Sequence, residues 1–183
     1  MQKLTFITGN EMKAKQLSDH FHFPVDHMKL DLPEIQSLDV EEVVIDKARR
    51  AYAIVKSPVL VEDVSFTLNA LGSLPGPLIK WFLQSMGNSE LCKLLDGHED
   101  RSATAEVCFG FCDGDKVHVF KGTRKGVVTK SPRGVAGFGF DPIFIPEGFT
   151  KTWGEMNEEE GRESSMRRLA LEKLSVFLAD YNK

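Results

Sequence analysis

An α/β fold is predicted by three features of the chain: a strand that runs into a helix at its start, a well-marked amphipathic helix followed by a short buried strand, and an alternating hairpin pattern that closes on a final amphipathic helix. The first feature is Leu4-Thr5-Phe6-Ile7, then Thr8-Gly9-Asn10, then Glu11 to Leu17 with Lys13 one turn in. Ala14, Leu17 and Phe21 stand at helical spacing and form the expected buried face. Pro24 to Leu32 reads as a strand or an extended connection. In the second feature, Asp39 is the candidate N-cap, Glu42 stands at the capping-box position, and Leu38 and Val43 are spaced for a hydrophobic staple. Val40, Val43, Val44, Ala48, Ala51, Tyr52 and Val55 make the apolar stripe, and Pro58-Val59-Leu60-Val61 is a buried strand expected to end at Glu62-Asp63.

Leu71 to Pro77 is rich in glycine and proline and reads as a shaped loop. Lys80-Trp81-Phe82-Leu83 opens the next helix, Glu90 to Leu95 suggests a separate short one, and Trp81 and Phe82 are expected in the core or a lobe interface. In the third feature, Ala103 to Phe111 alternates, Asp113-Gly114 gives a two-residue hairpin turn, and Lys116 to Phe120 returns as the partner strand. A further strand is expected at Gly126 to Thr129, then a glycine and phenylalanine loop from Gly134 to Asp141. Met166, Leu169, Ala170, Leu174, Phe177 and Leu178 mark the last helix.

The 183 residues fit one domain spanning 1–183, and 42% hydrophobic with 27% charged residues is an ordinary globular composition. A core-like strand at the start predicts no cleaved leader, no apolar run is long enough for a bilayer, and a cytoplasmic location is expected. The net charge of -4 disfavours a nucleic acid polymer as partner, while leaving room for a local basic pocket that takes a small phosphate ligand. Cys108 and Cys112 would lie about 13 Å apart along a strand, too far for a disulfide or a shared metal, so the cysteines are expected to be core thiols. The scattered histidines, His20, His22 and His27 among them, lack a ligand pattern.

The Thr8-Gly9-Asn10 turn can serve as an anion site, because a glycine lets amides converge and a helix start offers unpaired donors and partial positive charge. An ordinary capped strand-to-helix connection would have the same short sequence. Lys47 falls within the apolar stripe, and such a lysine either snorkels to solvent or aims into a pocket that holds an anion. Glu34, Glu62 and Asp63 are the candidate carboxylates and Lys13 and Lys47 the candidate cations. Together they suit a magnesium–triphosphate site, in which a hard ion takes one or two carboxylates plus phosphate oxygens; taken singly, each could be a surface charge.

Thr8-Gly9-Asn10 with Lys13, Leu32-Pro33-Glu34, Val61-Glu62-Asp63, Leu74 to Phe82 (LPGPLIKWF) and Gly137-Phe138-Gly139-Phe140-Asp141-Pro142 resemble, in order, the motifs of the inosine triphosphate pyrophosphatase family. The resemblance implies a homodimeric α/β enzyme with an elongated mixed sheet flanked by helices, in which two lobes enclose a central nucleotide cleft. It implies magnesium-dependent hydrolysis of inosine, deoxyinosine or xanthosine triphosphate to the monophosphate and pyrophosphate. By position, Thr8, Gly9, Asn10, Lys13 and Lys47 would hold phosphates, and Glu34, Glu62 and Asp63 would organise metal and water, with Asp63 as general base. Phe138 would stack on the base, in a motif with Gly139 and Phe140, while Asp141 and Arg167 make polar contacts. The family's lysine and Ser-His-Arg before the last helix are replaced here by Gly161 and Ser165-Met166-Arg167, with Arg162 beside the lysine's place, and Val64 stands where a hydroxyl residue is usual. Two further readings therefore stand beside the first: the same chemistry with relaxed or shifted base choice, and a nucleotide sensor without catalysis.

Overall fold

The computed structural model describes residues 4–9, 11–21 and 25–181. Asn10, His22 and Pro24 lie outside the described residues. The chain forms two compact units, one from Met1–Asp63, Cys108–Lys121 and Ala170–Lys183, the other from Val64–Val107 and Gly122–Leu169. A mixed seven-stranded sheet has the order β2 (Val25–Met28), β1 (Leu4–Ile7), β3 (Val59–Leu68), β5 (Ser102–Cys112), β6 (Val117–Val128) and β7 (Phe144–Pro146), with β4 (Pro75–Gly76) on β3.

In the first unit, β1 (Leu4–Ile7) is buried throughout and pairs parallel with β2 (Val25–Met28) and with β3 (Val59–Leu68). A parallel pair needs a crossover, and α1 (Glu11–Phe21) supplies it between β1 and β2, burying Ala14 and Leu17 as expected. Next, α2 (Val40–Val55) crosses to β3 and packs Val40, Val44, Ala48 and Ala51 with Ile7, Val59, Val61, Cys108 and Cys112. Asp39 caps α2 by accepting from the Glu41 N–H at 2.8 Å. The expected capping box is replaced: the Asp39 N–H donates to Ser37 Oγ at 3.0 Å, and Ser37 Oγ donates to Glu42 Oε2 at 2.7 Å, so a serine hydroxyl stands between the two ends of the box. Leu38, proposed for a staple, is 49% exposed.

The strand β3 corrects the expected stop at Glu62-Asp63. It continues to Leu68 because Ser65, Phe66 and Leu68 are as buried as Val59 to Val61, so the acidic pair lies within a strand instead of at its carboxyl end. A single strand, β6 (Val117–Val128), likewise replaces the two expected at Lys116 to Phe120 and Gly126 to Thr129. It follows β5 (Ser102–Cys112) after a four-residue connection, 113–116, in which Asp113 Oδ1 accepts from the Asp115 N–H at 3.2 Å. Phe111 and Phe120 pack their rings on Phe177 at centroid distances of 5.4 and 5.2 Å.

In the second unit, the glycine and proline loop follows from a 3-10 turn at Asn69–Leu71 and contains the short β4 (Pro75–Gly76), antiparallel to β3. The two expected helical segments are two runs that abut at a non-helical Gly87, within the span Ile79–Lys93 labelled α3. Trp81 is 57% exposed with the Lys80 ammonium 5.4 Å from its ring, which corrects its expected core placement; Phe82 does pack against the core. The second core gathers Phe66, Leu68, Leu91, Phe140, Ile143 and Phe144. The unit is completed by β7 (Phe144–Pro146) on β6, by α4 (Glu158–Ser164) and by the start of α5 (Met166–Tyr181). All three cysteines are buried and outside any disulfide, as expected of core thiols.

Candidate active site

Lys13, Lys47, Glu34 and Glu62 of the first unit form one connected set. The Thr8 N–H donates to the Met28 carbonyl at 3.0 Å, which carries the β1–β2 pairing up to the turn and fixes where Gly9 sits. Lys13, one turn into α1, reaches Glu62 Oε1 at 3.2 Å, and that carboxylate side chain is only 5% exposed. Lys47 on α2 donates from Nζ to Glu34 Oε1 at 2.8 Å and to the Glu62 carbonyl at 3.4 Å. Lys47 is therefore not a snorkelling lysine: its head group joins the loop before α2 to β3, and holds Glu34 and the Glu62 backbone within two hydrogen-bond lengths of one another.

Strand alternation separates the acidic pair. Val59 and Val61 pack toward α2, so Asp63, two residues on, shares their face with Lys47 and Glu34, whereas Glu62 leaves by the other face toward Lys13 on α1. Among the described residues no three His, Cys, Asp or Glu side chains gather into a metal-binding group. By strand alternation Asp63 falls on the α2 side of β3, where Lys47 holds Glu34, and both are hard oxygen donors of the type and number that magnesium takes from a protein when phosphates and water complete its shell.

The base-motif residues belong to the second unit. Asp141 Oδ2 accepts from the Phe138 N–H at 2.7 Å, and the Asp141 N–H donates to the Phe138 carbonyl at 3.2 Å, a reciprocal pair that closes the loop on itself. Gly137 makes this possible: at φ +77° its backbone suits glycine, and a Cβ there would lie 2.1 Å from the Asp141 carboxylate oxygen. Burial lifts the Asp141 carboxyl to about 6, against the opposing pull of the Phe138 N–H. Phe138 is 69% exposed. Phe140 is a core residue instead, 5% exposed and stacked on Phe66 at 4.1 Å, so it seats the loop rather than offering a surface to a ligand.

Arg167 stands half-buried in the first turn of α5. Arg162 is exposed on α4, and a Cβ at the neighbouring Gly161 would meet nothing within 4 Å. Met166 and Val64 pack against the second core, and Ser65 is 2% exposed.

One cation escaped the sequence reading. The aliphatic stem of Lys29 lies beside Gly9, its Cδ 3.4 Å from where a glycine Cβ would be. The signal was present in the parallel register, which sets Met28 opposite Ile7 and so brings the next residue to the turn.

An α/β chain in which one lysine ties a central-strand carboxylate to a strand–turn–helix start, while a second holds a loop carboxylate to the same strand, has the makings of a phosphate-handling enzyme. Residues 4–177 match the Ham1 family, and this chain belongs to it. Inosine triphosphate pyrophosphatase 2 of Trypanosoma cruzi (strain CL Brener) is 45% identical over 178 residues, covering 95% of this chain and 91% of that one. The inosine triphosphate pyrophosphatase of Yarrowia lipolytica is also 45% identical, covering 97% and 96%. Among solved structures, the Staphylococcus aureus Ham1 protein superimposes with a TM-score of 0.89 at 25% identity, covering 98% of this chain and 99% of that one. A nucleoside-triphosphatase / dITP/XTP pyrophosphatase from Mycobacterium abscessus gives 0.79 at 26% identity, covering 94% and 98%.

Proposed function

We infer that this protein is a nucleoside triphosphate pyrophosphatase that hydrolyses inosine, deoxyinosine and xanthosine triphosphates to the monophosphate and pyrophosphate. The observation that carries the reading is the linked set Lys13–Glu62 and Lys47–Glu34, in a chain 45% identical to curated inosine triphosphate pyrophosphatases along almost its whole length. Thr8, Gly9, Asn10, Lys13 and Lys47 hold the triphosphate, whose negative charge suits the amides and ammonium groups there. Asp63 takes the proton from the water that attacks the α-phosphorus as pyrophosphate leaves. Glu34 and Asp63, with Glu62 braced by Lys13, would hold a magnesium ion, which would supply neutralisation of the charge that builds on the phosphate oxygens. Phe138 stacks on the base, while Asp141 and Arg167 supply polar groups for reading it.

A relaxed or shifted base choice is the second reading, favoured by two observations: Met166 offers a thioether packed into the core, and Gly161 offers no side chain. The protein with magnesium should release pyrophosphate faster from inosine and xanthosine triphosphates than from adenosine, guanosine or pyrimidine triphosphates. Equal rates would leave only the relaxed reading, and chelation of the magnesium should stop release. Calorimetric binding without any release would establish a sensor in place of an enzyme. The working form is a homodimer in the cytoplasm, a state that sedimentation and cell fractionation would test; no helix among the described residues is long and apolar enough to cross a membrane.

A further inference from the structure

The interruption of α3 has a use. Gly87 has φ 72° and ψ 177°, a backbone state that is essentially glycine's alone, and it ends one helical run just before Asn88. An asparagine at a helix start ordinarily turns its carbonyl oxygen onto the amides two or three residues on. Asn88 does not: its Oδ1 is buried and accepts no hydrogen bond among the described residues. Its Nδ2 instead crosses to the glycine and phenylalanine loop and donates to the Gly139 carbonyl at 2.8 Å. A buried, unsatisfied acceptor costs stability, so an amide kept there with only its donor half in use is better explained by what that donor holds than by α3 itself.

What it holds is the midpoint of the loop. Gly139 lies between Phe138, which is exposed, and Phe140, which is fixed in the core, and a Cβ at Gly139 would meet only the Leu83 methyl on the same helix, at 3.7 Å. The loop thus has two anchors on its carboxyl side, the Phe140 ring on Phe66 and the Asp141 carboxylate on the Phe138 N–H, and one lateral anchor, the Asn88 amide. Without the lateral anchor, the peptide joining Gly139 to Phe140 can rotate, and Phe138 with it.

We propose that Asn88 is a positioning residue for base recognition: its amide, set by the break at Gly87, fixes the Gly139 carbonyl and so the direction in which Phe138 and Asp141 are presented. This rests on the assignment of base reading to residues 138–141 made above. Asn88→Ala removes the donor, Asn88→Asp keeps the shape without a donor, and Asn88→Gln keeps a donor on a longer arm. In Asn88→Ala and Asn88→Asp, amide hydrogen exchange across residues 137–141 should quicken about tenfold, the size set by loss of one hydrogen bond, while exchange across residues 4–9 stays as in the parent. KM for inosine triphosphate should rise about tenfold with kcat within about twofold, inhibition by inorganic triphosphate should be unchanged, and Asn88→Gln should recover part of the loss. Should Asn88→Ala fail to fold, Asn88→Asp carries the same comparison. Parent-like exchange in the loop, an unmoved KM, or an equal loss of inorganic triphosphate inhibition would overturn the proposal. A parent enzyme with equal rates on all bases would instead remove base selectivity from the proposed function, leaving exchange and KM to decide the role of Asn88.

Discussion

The candidate site residues of the two units treat charge in opposite ways. In the first, each candidate phosphate-binding lysine already has a carboxylate partner: Lys13 has Glu62, and Lys47 has Glu34. In the second, Asp141 is half-buried, faces a backbone N–H, and has its carboxyl raised to about 6 by desolvation. Under the proposed function, the first arrangement would keep the cations neutralised until a more highly charged partner arrives. Because Glu34 is 43% exposed, its pair with Lys47 is of the kind worth at most about 1 kcal/mol, and a triphosphate can take over that lysine at little cost. The second arrangement keeps one polar group in a poorly solvated place, where a missing hydrogen bond to a ligand is expensive. Affinity is therefore expected to come from the first unit and discrimination from the second.

The largest effect should come from Asp63→Asn, which tests whether the first unit also carries the chemistry. Turnover should fall by about 10²–10⁴-fold, the range for loss of a positioned base, with nucleotide affinity much less affected. Steady-state kinetics with calorimetric titration would check this, and unimpaired turnover would remove Asp63 from its role. The contrast in charge is sharpened by pH. Since the folded carboxyl of Asp141 is raised from 3.8 to about 6, its stabilising contribution is complete below the unfolded value and is lost as pH rises through about 6. Asp141→Asn keeps a carbonyl oxygen for the Phe138 N–H and has no charge to desolvate. Its melting temperature should exceed the parent's at pH 8, and the gain should vanish at pH 3; thermal melts across that range decide it. The smallest effect is expected at Gly161, within α4 and facing open space. Gly161→Lys should stabilise the protein by about 0.5–1 kcal/mol, through helix propensity, and should widen the preference for inosine over adenosine triphosphate. Denaturant melts and paired kcat/KM values would measure both, and an unchanged preference would show that a lysine there does not read the base.

The same comparison explains what could be seen in the sequence. The start of the first unit was legible because local signals agree there: β1 and α1 begin and end where hydrophobic runs and helical spacing place them, and Asp39 caps α2. The course of β3 was not, because two acids followed by Val64 and Ser65 look like a strand's end, and only the burial of Ser65, Phe66 and Leu68 by distant segments carries the strand onward. Glu62 and Asp63 were grouped by adjacency, although neighbours in a strand face apart. Phe138 and Phe140 look alike in a short glycine motif; the partner ring of Phe66, far away in the chain, is what makes one a core residue and leaves the other exposed. Lys47 was identified by its odd place in an apolar stripe, and its actual partners came from outside the helix.

The boundaries between the two units fall at residues 63/64, 107/108, 121/122 and 169/170, inside β3, β5, β6 and α5 and never in a loop. A gene fragment covering either unit would have to be cut in mid-strand or mid-helix. Exchanging one unit for a relative's would require matched breaks inside three strands and a helix, each of which carries residues of both units.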